Sequence, residues 1–573
     1  MAEAQVLDIP VLLPDRASAG SLEAIRSAFE RLDRADIDRL EPLKRWLLER
    51  SELEASVSQE EAVRYIRTTL DTADIGASEA YQEFALQVRP EIERWNDRLN
   101  RKLVASPALP ELEKEEGYRI YLRTVRGQLE LFREENVILL AELRELGQRY
   151  GEIMGAVTIS HDGREITAPE AAALLETTDR QLRETVFRKL AERRAVDRDR
   201  LDALFQEMVA KRHQVALNAG EVDFRDYMYK ALGRFDHDPK DAMAFHDSVV
   251  QEVVPVVAEL ESRRRADLGL EVLRPWDLAV DPDGRPPLRP FKHSEELLDF
   301  AVQVFRKVDP SFAEDLEIMQ RMGALDLACR KGKAPGGYNY PLYLTGVPFI
   351  FMNAVGTHDD LVTMMHEGGH AVHSFLSHPL PLTGQKQFPS EVAELASMTM
   401  ELLTMDHWHL VYEREEDLRR AKRDQLERVI TVLPWVAAVD AFQHQIYTER
   451  GLPAQAIHEL WTKTHERFST GVVDWTDLEE QRATLWHKQL HIFEVPFYYI
   501  EYAIAQLGAL GVWTSYRKDP LAAIDKFKQA LSLGYTRTLP EIYEAAGTRF
   551  DLGQQHIRSL MAVVMAEWRA CGG

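Results

Sequence analysis

Apolar residues recur at three- and four-residue steps along most of the chain, which is the spacing of one face of an α-helix. One such stretch carries apolar residues at Leu129, Phe132, Leu139, Leu143 and Leu146. The same periodicity runs through both halves of the 573 residues. The pattern therefore predicts a mostly α-helical protein.

The helical pattern is first interrupted at residues 157–166, where two short apolar runs flank Asp162-Gly163. This dipeptide is typical of a tight hairpin turn between two strands. Helical spacing resumes with Ala168-Pro169-Glu170, which places proline at the start of a helix and an acid in its first turn. We expect a small β-hairpin followed directly by a helix.

Two later segments lack helical spacing. Residues 274–290 hold a dense group of prolines with one glycine, which predicts a surface loop. Residues 334–358 are uncharged and long enough to span a membrane, but prolines, glycines and asparagines interrupt them. We expect buried loop and strand there, and no contact with a membrane.

The organisation of the chain indicates two parts. A long predicted helix with Leu201, Leu204 and Phe205 on its apolar face leads into the second part. We place the boundary near residue 200, which gives an N-terminal helical region of residues 1–200 and a second region of residues 201–573.

The charge and cysteine content exclude several classes of protein. The 94 acidic residues outnumber the 70 basic ones, and no basic run offers a surface for phosphates, so nucleic acid is not an expected partner. Cys329 and Cys571 are the two cysteines, too few for a disulfide framework or a thiolate metal site. The first residues lack the basic and apolar regions of a signal peptide, and we expect a cytoplasmic protein.

The chemistry is concentrated in residues 363–372, which read TMMHEGGHAV. On a helix, His366 and His370 lie one turn apart on the same face, so both imidazoles can reach one ion beside Glu367. Glu367 is the only residue with a formal charge in positions 362–374, which indicates a buried helix. Burying two histidines and a glutamate without a metal is costly, so the pattern favours a metal site over hydrogen-bonded core histidines.

A catalytic zinc ion normally takes three protein ligands and leaves the fourth position for water. The next predicted helix, residues 391–401, carries Glu391, Glu394 and Glu401 on one face. The spacing alone leaves all three carboxylates eligible as the third ligand. Before the HEGGH helix, Asp359 and Asp360 are expected to supply its N-cap and an acid that matches the helix dipole.

With these motifs the chain resembles the oligoendopeptidase F branch of the thimet oligopeptidase family of zinc metallopeptidases. Other similar features are KAPGG at 333–337, PFIFMN at 348–353 and GTHDD at 356–360. The resemblance covers most of the chain. It implies a two-part helical zincin that encloses a deep substrate channel, with a small β element beside the active-site helix, one Zn²⁺ ion and short peptide substrates.

The resemblance also implies roles for individual residues. In that family the third zinc ligand is a Glu followed by Ser three residues later, and Glu394 with Ser397 matches this pattern. The implied metal ligands are therefore His366, His370 and Glu394, with Glu367 as the general base.

A second segment, HKQLHIFEVPFYYIEY at residues 487–502, is similar to the region where the family places a histidine and two tyrosines. In the family, this histidine and these tyrosines donate hydrogen bonds to the substrate and to the tetrahedral oxyanion. The resemblance assigns these roles to His491, Tyr499 and Tyr502. A neutral phenol suits such a role because it donates without the cost of burying a charge.

The predicted function is hydrolysis of internal peptide bonds in short peptides by a zinc-activated water. One alternative is a helical metallocarboxypeptidase, which needs a basic residue or a nest for the terminal carboxylate. Another is a non-catalytic peptide-binding protein with a structural metal, but such sites usually use four Cys or His ligands. We also expect residues 348–353 to form a strand whose backbone pairs with an extended peptide.

Overall fold

A computed structural model describes residues 22–573. Up to residue 267 the helices are α1 (Leu22–Arg34), α2 (Leu40–Leu70), α3 (Ile75–Glu83), α4 (Arg89–Val104), α5 (Leu109–Leu112), α6 (Tyr118–Leu131), α7 (Glu134–Gly155), α8 (Ala168–Ala173), α9 (Arg180–Val196), α10 (Arg198–Ala219), α11 (Phe224–Ala231), α12 (Pro239–Glu252) and α13 (Val254–Asp267).

The later helices are α14 (Ser294–Val308), α15 (Pro310–Arg321), α16 (His358–Ser377), α17 (Thr383–Lys386), α18 (Ser390–Met405), α19 (Glu415–Thr448), α20 (Ala454–Arg467), α21 (Glu479–Ala483), α22 (Leu490–Glu494), α23 (Ile500–Tyr516), α24 (Pro520–Ser532), α25 (Leu539–Ala545) and α26 (Gln554–Ala570). The strands are β1 (Thr158–His161), β2 (Arg164–Thr167), β3 (Leu325–Ala328), β4 (Tyr338–Tyr340) and β5 (Phe349–Ala354). The predicted mostly helical fold class is confirmed.

The described chain divides into two compact units, each assembled from three separate stretches. Unit 1 consists of the chain up to Phe132, Arg289–Leu418 and Gly508–Phe550. Unit 2 consists of Arg133–Leu288, Arg419–Leu507 and Asp551–Gly573. The predicted boundary near residue 200 falls inside unit 2, at the start of α10, and stays a prediction about regions of the sequence.

Unit 1 contains the helix with the HEGGH motif, α16, and the elements that surround it. Helix α18 packs along α16, and α14, α15, β4 and β5 also contact α16. The predicted small β element beside this helix is therefore confirmed as the sheet with strand order β3-β5-β4.

Strand β5 contains the segment that we expected to pair with an extended peptide. It is the central strand of the sheet, because its Phe349–Phe351 segment pairs antiparallel with β4 and its other side pairs parallel with β3. The strand expected at residues 348–353 is therefore present, but its expected pairing with a peptide is wrong, since its backbone already bonds within the sheet. Of the strands next to α16, β4 is the one at an edge.

The two glycines of the motif explain how closely α16 is packed. A Cβ atom added to Gly369 would lie 2.7 Å from Cα of Ser397 and 2.8 Å from the carbonyl oxygen of Ala396, both in α18. A Cβ atom on Gly368 would lie 2.5 Å from the ring of Phe305 in α14. Real Cβ atoms do not approach other atoms so closely, so each position requires glycine for the observed packing.

The start of α16 differs in one detail from the sequence expectation. Its N-cap is Thr357, whose hydroxyl accepts from the backbone N–H of Asp360, while the Asp360 side chain accepts from the N–H of Thr357. Asp359 and Asp360 lie in the first turn, where their charge still matches the helix dipole. Thr357 takes the capping position because it stands three residues before Asp360. At this spacing each of the two side chains can accept from the backbone N–H of the other residue.

Unit 2 contains the predicted hairpin. Strands β1 and β2 pair antiparallel from Thr158 opposite Thr167 to His161 opposite Arg164. Both turn residues, Asp162 and Gly163, have positive φ, as the tight turn requires. Among residues 22–573 no helix is both long enough and apolar enough to cross a bilayer.

Candidate metal centre

Two adjacent helices bring three of the predicted residues together. His366 and His370 project from α16, and Glu394 projects from α18. The Oε2 atom of Glu394 lies 3.3 Å from Nε2 of His366 and 3.6 Å from Nε2 of His370. One atom from each side chain thus converges on a common point.

Neighbouring groups orient these side chains. Nδ1 of His366 lies 2.7 Å from Oε1 of Glu401, and because a carboxylate can only accept, this nitrogen donates. In the neutral imidazole, the form that binds a metal, the lone pair is then on Nε2. The hydroxyl of Ser397 donates to Oε2 of Glu394 at 2.9 Å. Glu401, one of the three carboxylates that the sequence left open, therefore contacts the outer side of His366.

The third carboxylate of α18 is placed differently. Glu391 lies in the first turn of the helix and is buried, and its backbone carbonyl accepts from the hydroxyl of Tyr543 at 3.0 Å. It is not part of the converging group of His366, His370 and Glu394. The structure thus separates three carboxylates that the sequence could not distinguish.

Burial and charge set the protonation of the cluster. Burial lowers the pKa of His370 to about 4, which favours the neutral imidazole that binds metals. Burial alone would raise the pKa of Glu394, but His370, His366 and Ser397 hold it at about 2, so the carboxylate is ionised. For His366, burial is outweighed by Glu394 and Glu401, which raise its pKa well above its usual value. The surroundings thus favour positive charge at this point.

The spacing of the three donor atoms fits a metal ion. Two ligands bound tetrahedrally to zinc at about 2.0–2.1 Å are roughly 3.3 Å apart, and the two measured separations, 3.3 and 3.6 Å, are close to this value. Direct hydrogen bonds to nitrogen are usually shorter, about 2.9 Å. Two imidazoles and one carboxylate are also a donor set that catalytic zinc sites use.

A second histidine and aspartate group lies in unit 2 and has a different geometry. Oδ1 of Asp202 is 2.9 Å from Nε2 of His458 and 2.9 Å from Nε2 of His487. These are ordinary hydrogen-bond lengths to a single acceptor oxygen. The spacing therefore favours two imidazole N–H groups donating to one carboxylate over a metal site.

Glu367 is the acid inside the motif. Its side chain is 7% exposed, and among the described residues no group donates a hydrogen bond to its Oε2 atom. Burial raises the pKa of Glu367 to about 7. Its backbone carbonyl accepts from Nδ2 of Asn339 at 3.2 Å, which ties β4 to this turn of α16.

The remaining predicted site residues lie in unit 2, where the structure brings His491, Tyr499 and Tyr502 together. The ring of His491 is centred 4.7 Å from that of Tyr499 and 5.6 Å from that of Tyr502. The hydroxyl of Tyr502 lies 3.4 Å from Nε2 of His491. Burial raises the pKa of Tyr499, so its phenol stays protonated at neutral pH.

The backbone that carries this aromatic cluster is held in a strained conformation at Phe497. This residue has a φ of 66°, in the left-handed region that bulky residues avoid. Its N–H donates to Oε1 of Gln443 at 2.8 Å, and its carbonyl accepts from the buried guanidinium of Arg234. Arg234 also pairs with the buried carboxylate of Glu501 at 3.0 Å. These contacts fix the turn between α22 and α23.

Two further residues, Gln489 and Trp435, are connected to His491 by hydrogen bonds and were not predicted from the sequence. Nε2 of Gln489 lies 2.8 Å from Nδ1 of His491, and Nε1 of Trp435 donates to Oε1 of Gln489 at 2.9 Å. The position of Gln489, two residues before His491, is a local signal that could have identified it. Trp435 is more than fifty positions away in the sequence and gives no such signal.

Comparisons with known proteins agree with the motif. The family model described as Peptidase family M3 matches residues 173–562, and that of the Peptidase M3 N-terminal domain matches residues 19–132. Oligopeptidase PepF of Bacillus subtilis is 22% identical over 376 residues, which cover 62% of this chain and 54% of that protein. An oligoendopeptidase F homolog of Borreliella burgdorferi is 22% identical over 72% of this chain and 70% of that protein.

Solved structures show the same fold. PZ peptidase A with an inhibitor superimposes with a TM-score of 0.90 at 24% identity, over 96% of this chain and 97% of that chain. Oligoendopeptidase F from Enterococcus faecium superimposes with a TM-score of 0.65 at 16% identity, over 97% of this chain and 98% of that chain. In sequence, the chain matches about half the length of the Bacillus relative. The resemblance to the oligoendopeptidase F branch is confirmed.

Proposed function

Because the chain belongs to peptidase family M3, we propose that it is a zinc-dependent oligoendopeptidase that cleaves internal bonds of short peptides. The observation that carries this proposal is the convergence of His366, His370 and Glu394 next to a buried Glu367 with a raised pKa. Perturbed carboxyl groups beside a metal-ligand cluster are typical of catalytic sites.

His366, His370 and Glu394 are proposed to hold one zinc ion. When bound, zinc lowers the pKa of water towards 7 and polarises a carbonyl group. The chain supplies the two imidazole nitrogens and one ionised carboxylate oxygen, and Glu401 keeps His366 in the tautomer with a lone pair on Nε2. Glu367 is left out of the ligand set and remains available for proton transfer.

Glu367 is proposed as the general base. Its carboxylate takes a proton from the attacking water and passes it to the nitrogen of the departing amine. The buried surroundings of Glu367 bring its pKa to about 7, close to the pH at which both steps must occur. The single carboxyl group can therefore serve first as the base and then as the acid.

His491, Tyr499 and Tyr502 are proposed to donate hydrogen bonds to the substrate and to the oxyanion that forms when water attacks the carbonyl. All three can donate while neutral, which avoids burying an additional charge. A donor that meets the oxyanion better than the ground-state carbonyl lowers the barrier by about 2.7–4 kcal/mol. The clustering of the three rings supports their acting together.

The outer edge of β4 is proposed to bind the peptide backbone. This strand lies at the sheet edge, and its Asn339 bonds to the carbonyl of Glu367, so a peptide paired there would pass the proposed base. Pairing through the backbone tolerates many side chains. N-methylation of single peptide nitrogens tests this: cleavage should be lost at alternate positions, whereas an equal effect at every position would contradict strand pairing.

A digest of short peptides with free and blocked termini tests the proposed function. We expect cleavage at internal bonds whether or not the C-terminus is amidated, identified by the masses of the products. Removal of single residues only from peptides with a free carboxylate would instead support the metallocarboxypeptidase alternative. Binding without cleavage would support a peptide-binding protein with a structural metal.

A further inference from the structure

Three side chains of unit 2 form a hydrogen-bonded row that ends at His491. Trp435 lies in α19, Gln489 immediately precedes α22, and His491 is in α22. Nε1 of Trp435 is 2.9 Å from Oε1 of Gln489, and Nε2 of Gln489 is 2.8 Å from Nδ1 of His491. Neither Trp435 nor Gln489 is among the residues to which the proposed function gives a role.

The indole of Trp435 fixes the orientation of the side-chain amide of Gln489. An indole nitrogen can only donate, so it requires the carbonyl oxygen of Gln489 to face it. The amide nitrogen must then face His491. A flipped amide would place two donors against each other at Trp435 and would leave its oxygen facing the imidazole.

The orientation of the amide in turn fixes the proton of the imidazole. Because the amide nitrogen only donates, Nδ1 of His491 must accept and carries no proton. The ring proton of a neutral histidine is then on Nε2, the nitrogen that faces the hydroxyl of Tyr502 at 3.4 Å. A proton on Nδ1 would oppose the amide hydrogens, so this arrangement also disfavours the doubly protonated ring.

We propose that Trp435 and Gln489 are positioning residues that hold His491 as a neutral hydrogen-bond donor at Nε2. This inference rests on the proposed function, in which His491 donates to the substrate or the oxyanion. In the other neutral tautomer, Nε2 would present a lone pair to a negatively charged oxygen. Such a histidine would repel the transition state instead of stabilising it.

The surroundings of the row support a positioning role. Nζ of Lys488 lies 4.8 Å from the centre of the Trp435 ring, and the ring of Trp461 packs against it edge-on at 5.5 Å. The hydroxyl of Tyr499 also interacts with Trp435 and Gln489. The indole is therefore fixed on several sides, while Trp435, Gln489 and His491 are each only partly buried, so substitutions can be made without opening the core.

The substitution Gln489→Glu is the sharpest test. A carboxylate can still accept from Trp435, but it also accepts at the imidazole and therefore requires a proton on Nδ1 of His491. We expect kcat to fall at least tenfold with little change in KM and an unchanged zinc content. Gln251→Glu, which adds the same charge on the exposed face of α12, is the matched control and should retain full activity.

Nitrogen NMR of protein labelled with ¹⁵N-histidine reads the tautomer directly and requires no peptidase activity. The His491 signal is assigned by its loss in His491→Gln. We expect an Nε2–H signal in the wild-type protein, and an Nδ1–H or doubly protonated signal in Gln489→Glu. A wild-type Nδ1–H signal, or an unchanged Nε2–H signal in the variant, would overturn the proposal.

The two readouts separate this proposal from the proposed function. If the wild-type protein cleaves no peptide, the function fails while the NMR result still decides the tautomer. If Gln489→Glu changes the tautomer but keeps wild-type kcat, the positioning role is overturned. Trp435→Phe keeps the ring but removes the donor, so we expect mixed tautomers and a smaller loss of kcat than in Gln489→Glu.

Discussion

At the scale of single residues, Glu367 combines burial, a raised pKa and an oxygen with no donor among the described residues. Such a group weakens the folded state, because an unpaired buried acid loses its interactions with water. The proposed role of Glu367 in proton transfer would account for a carboxyl group at this position.

We expect Glu367→Gln and Glu367→Ala to keep zinc and fold but to lose the chemical step. Neither variant removes a proposed ligand, whereas both remove the proton acceptor. The loss of kcat should be roughly 10²- to 10⁴-fold, the usual contribution of a general base. Kinetics combined with metal analysis checks this, and a variant that loses zinc but only part of its activity would contradict the assigned role.

The three carboxylates of α18 should respond differently to substitution by alanine. Glu394→Ala should release zinc, because Glu394 is the proposed third ligand. Glu401→Ala should still bind one zinc ion at saturation, but about 10- to 100-fold more weakly, because it removes the partner of a ligating histidine. Glu391→Ala should leave the stoichiometry unchanged. If Glu391→Ala alone empties the site, the ligand assignment is wrong.

Tyr499 and Tyr502 can be tested with phenylalanine, which keeps the ring and deletes only the hydroxyl. If they donate to the oxyanion, each change should lower kcat and kcat/KM in parallel by roughly 10²-fold or more, with KM and zinc content nearly unchanged. Nearly full kcat in both variants would identify these tyrosines as packing or substrate-lining residues.

At the scale of elements, the distance between α16 and α18 determines whether the proposed metal ligands can meet. Gly369 permits the close approach of the two helices, since its added Cβ would lie 2.7 Å from the α18 backbone. The convergence of the proposed ligands from the two helices therefore depends on Gly369, a residue with no side chain that could bind a metal.

We expect Gly369→Ala to force α16 and α18 apart. The cost of overpacking should be about 1–3 kcal/mol in the free energy of unfolding, with a weaker affinity for zinc. Gly151→Ala in α7 is the matched control, because its Cβ would meet nothing within 4 Å, and it should be neutral or stabilising by about 1 kcal/mol. Denaturant unfolding and zinc titration measure both effects. Equal behaviour of the two variants would contradict the packing argument.

Elements whose signals are local could be predicted from the sequence. The spacing of His366 and His370 identified α16, and Asp162-Gly163 identified the turn between β1 and β2. The position of β5 inside its sheet could not be predicted, because it depends on pairing with β4 and β3, which the sequence of β5 does not specify. The left-handed backbone conformation of Phe497 could not be predicted either. The residues whose hydrogen bonds hold it, Gln443 and Arg234, are distant in sequence.

At the scale of the whole molecule, the chain leaves and re-enters each unit, so both units contain residues from three separate stretches. No local feature of the sequence marks where the chain returns to a unit, so the sequence predicts a single boundary and not this arrangement. The predicted metal ligands all lie in one stretch of unit 1, which is why their spacing was informative. Trp435 and Gln489 belong to one stretch of unit 2 but lie in different elements, so their contact emerges only from the fold.

The most direct test of the account is a zinc titration of the metal-free protein with a peptide blocked at both ends. Cleavage at an internal bond, followed by mass spectrometry of the products, should be absent without metal and reach its maximum at one equivalent of zinc. Glu367→Gln, titrated in parallel, should bind the same equivalent and cleave roughly 10²- to 10⁴-fold more slowly. Cleavage by the metal-free protein, or full zinc binding by the wild-type protein without cleavage, would contradict a zinc oligoendopeptidase.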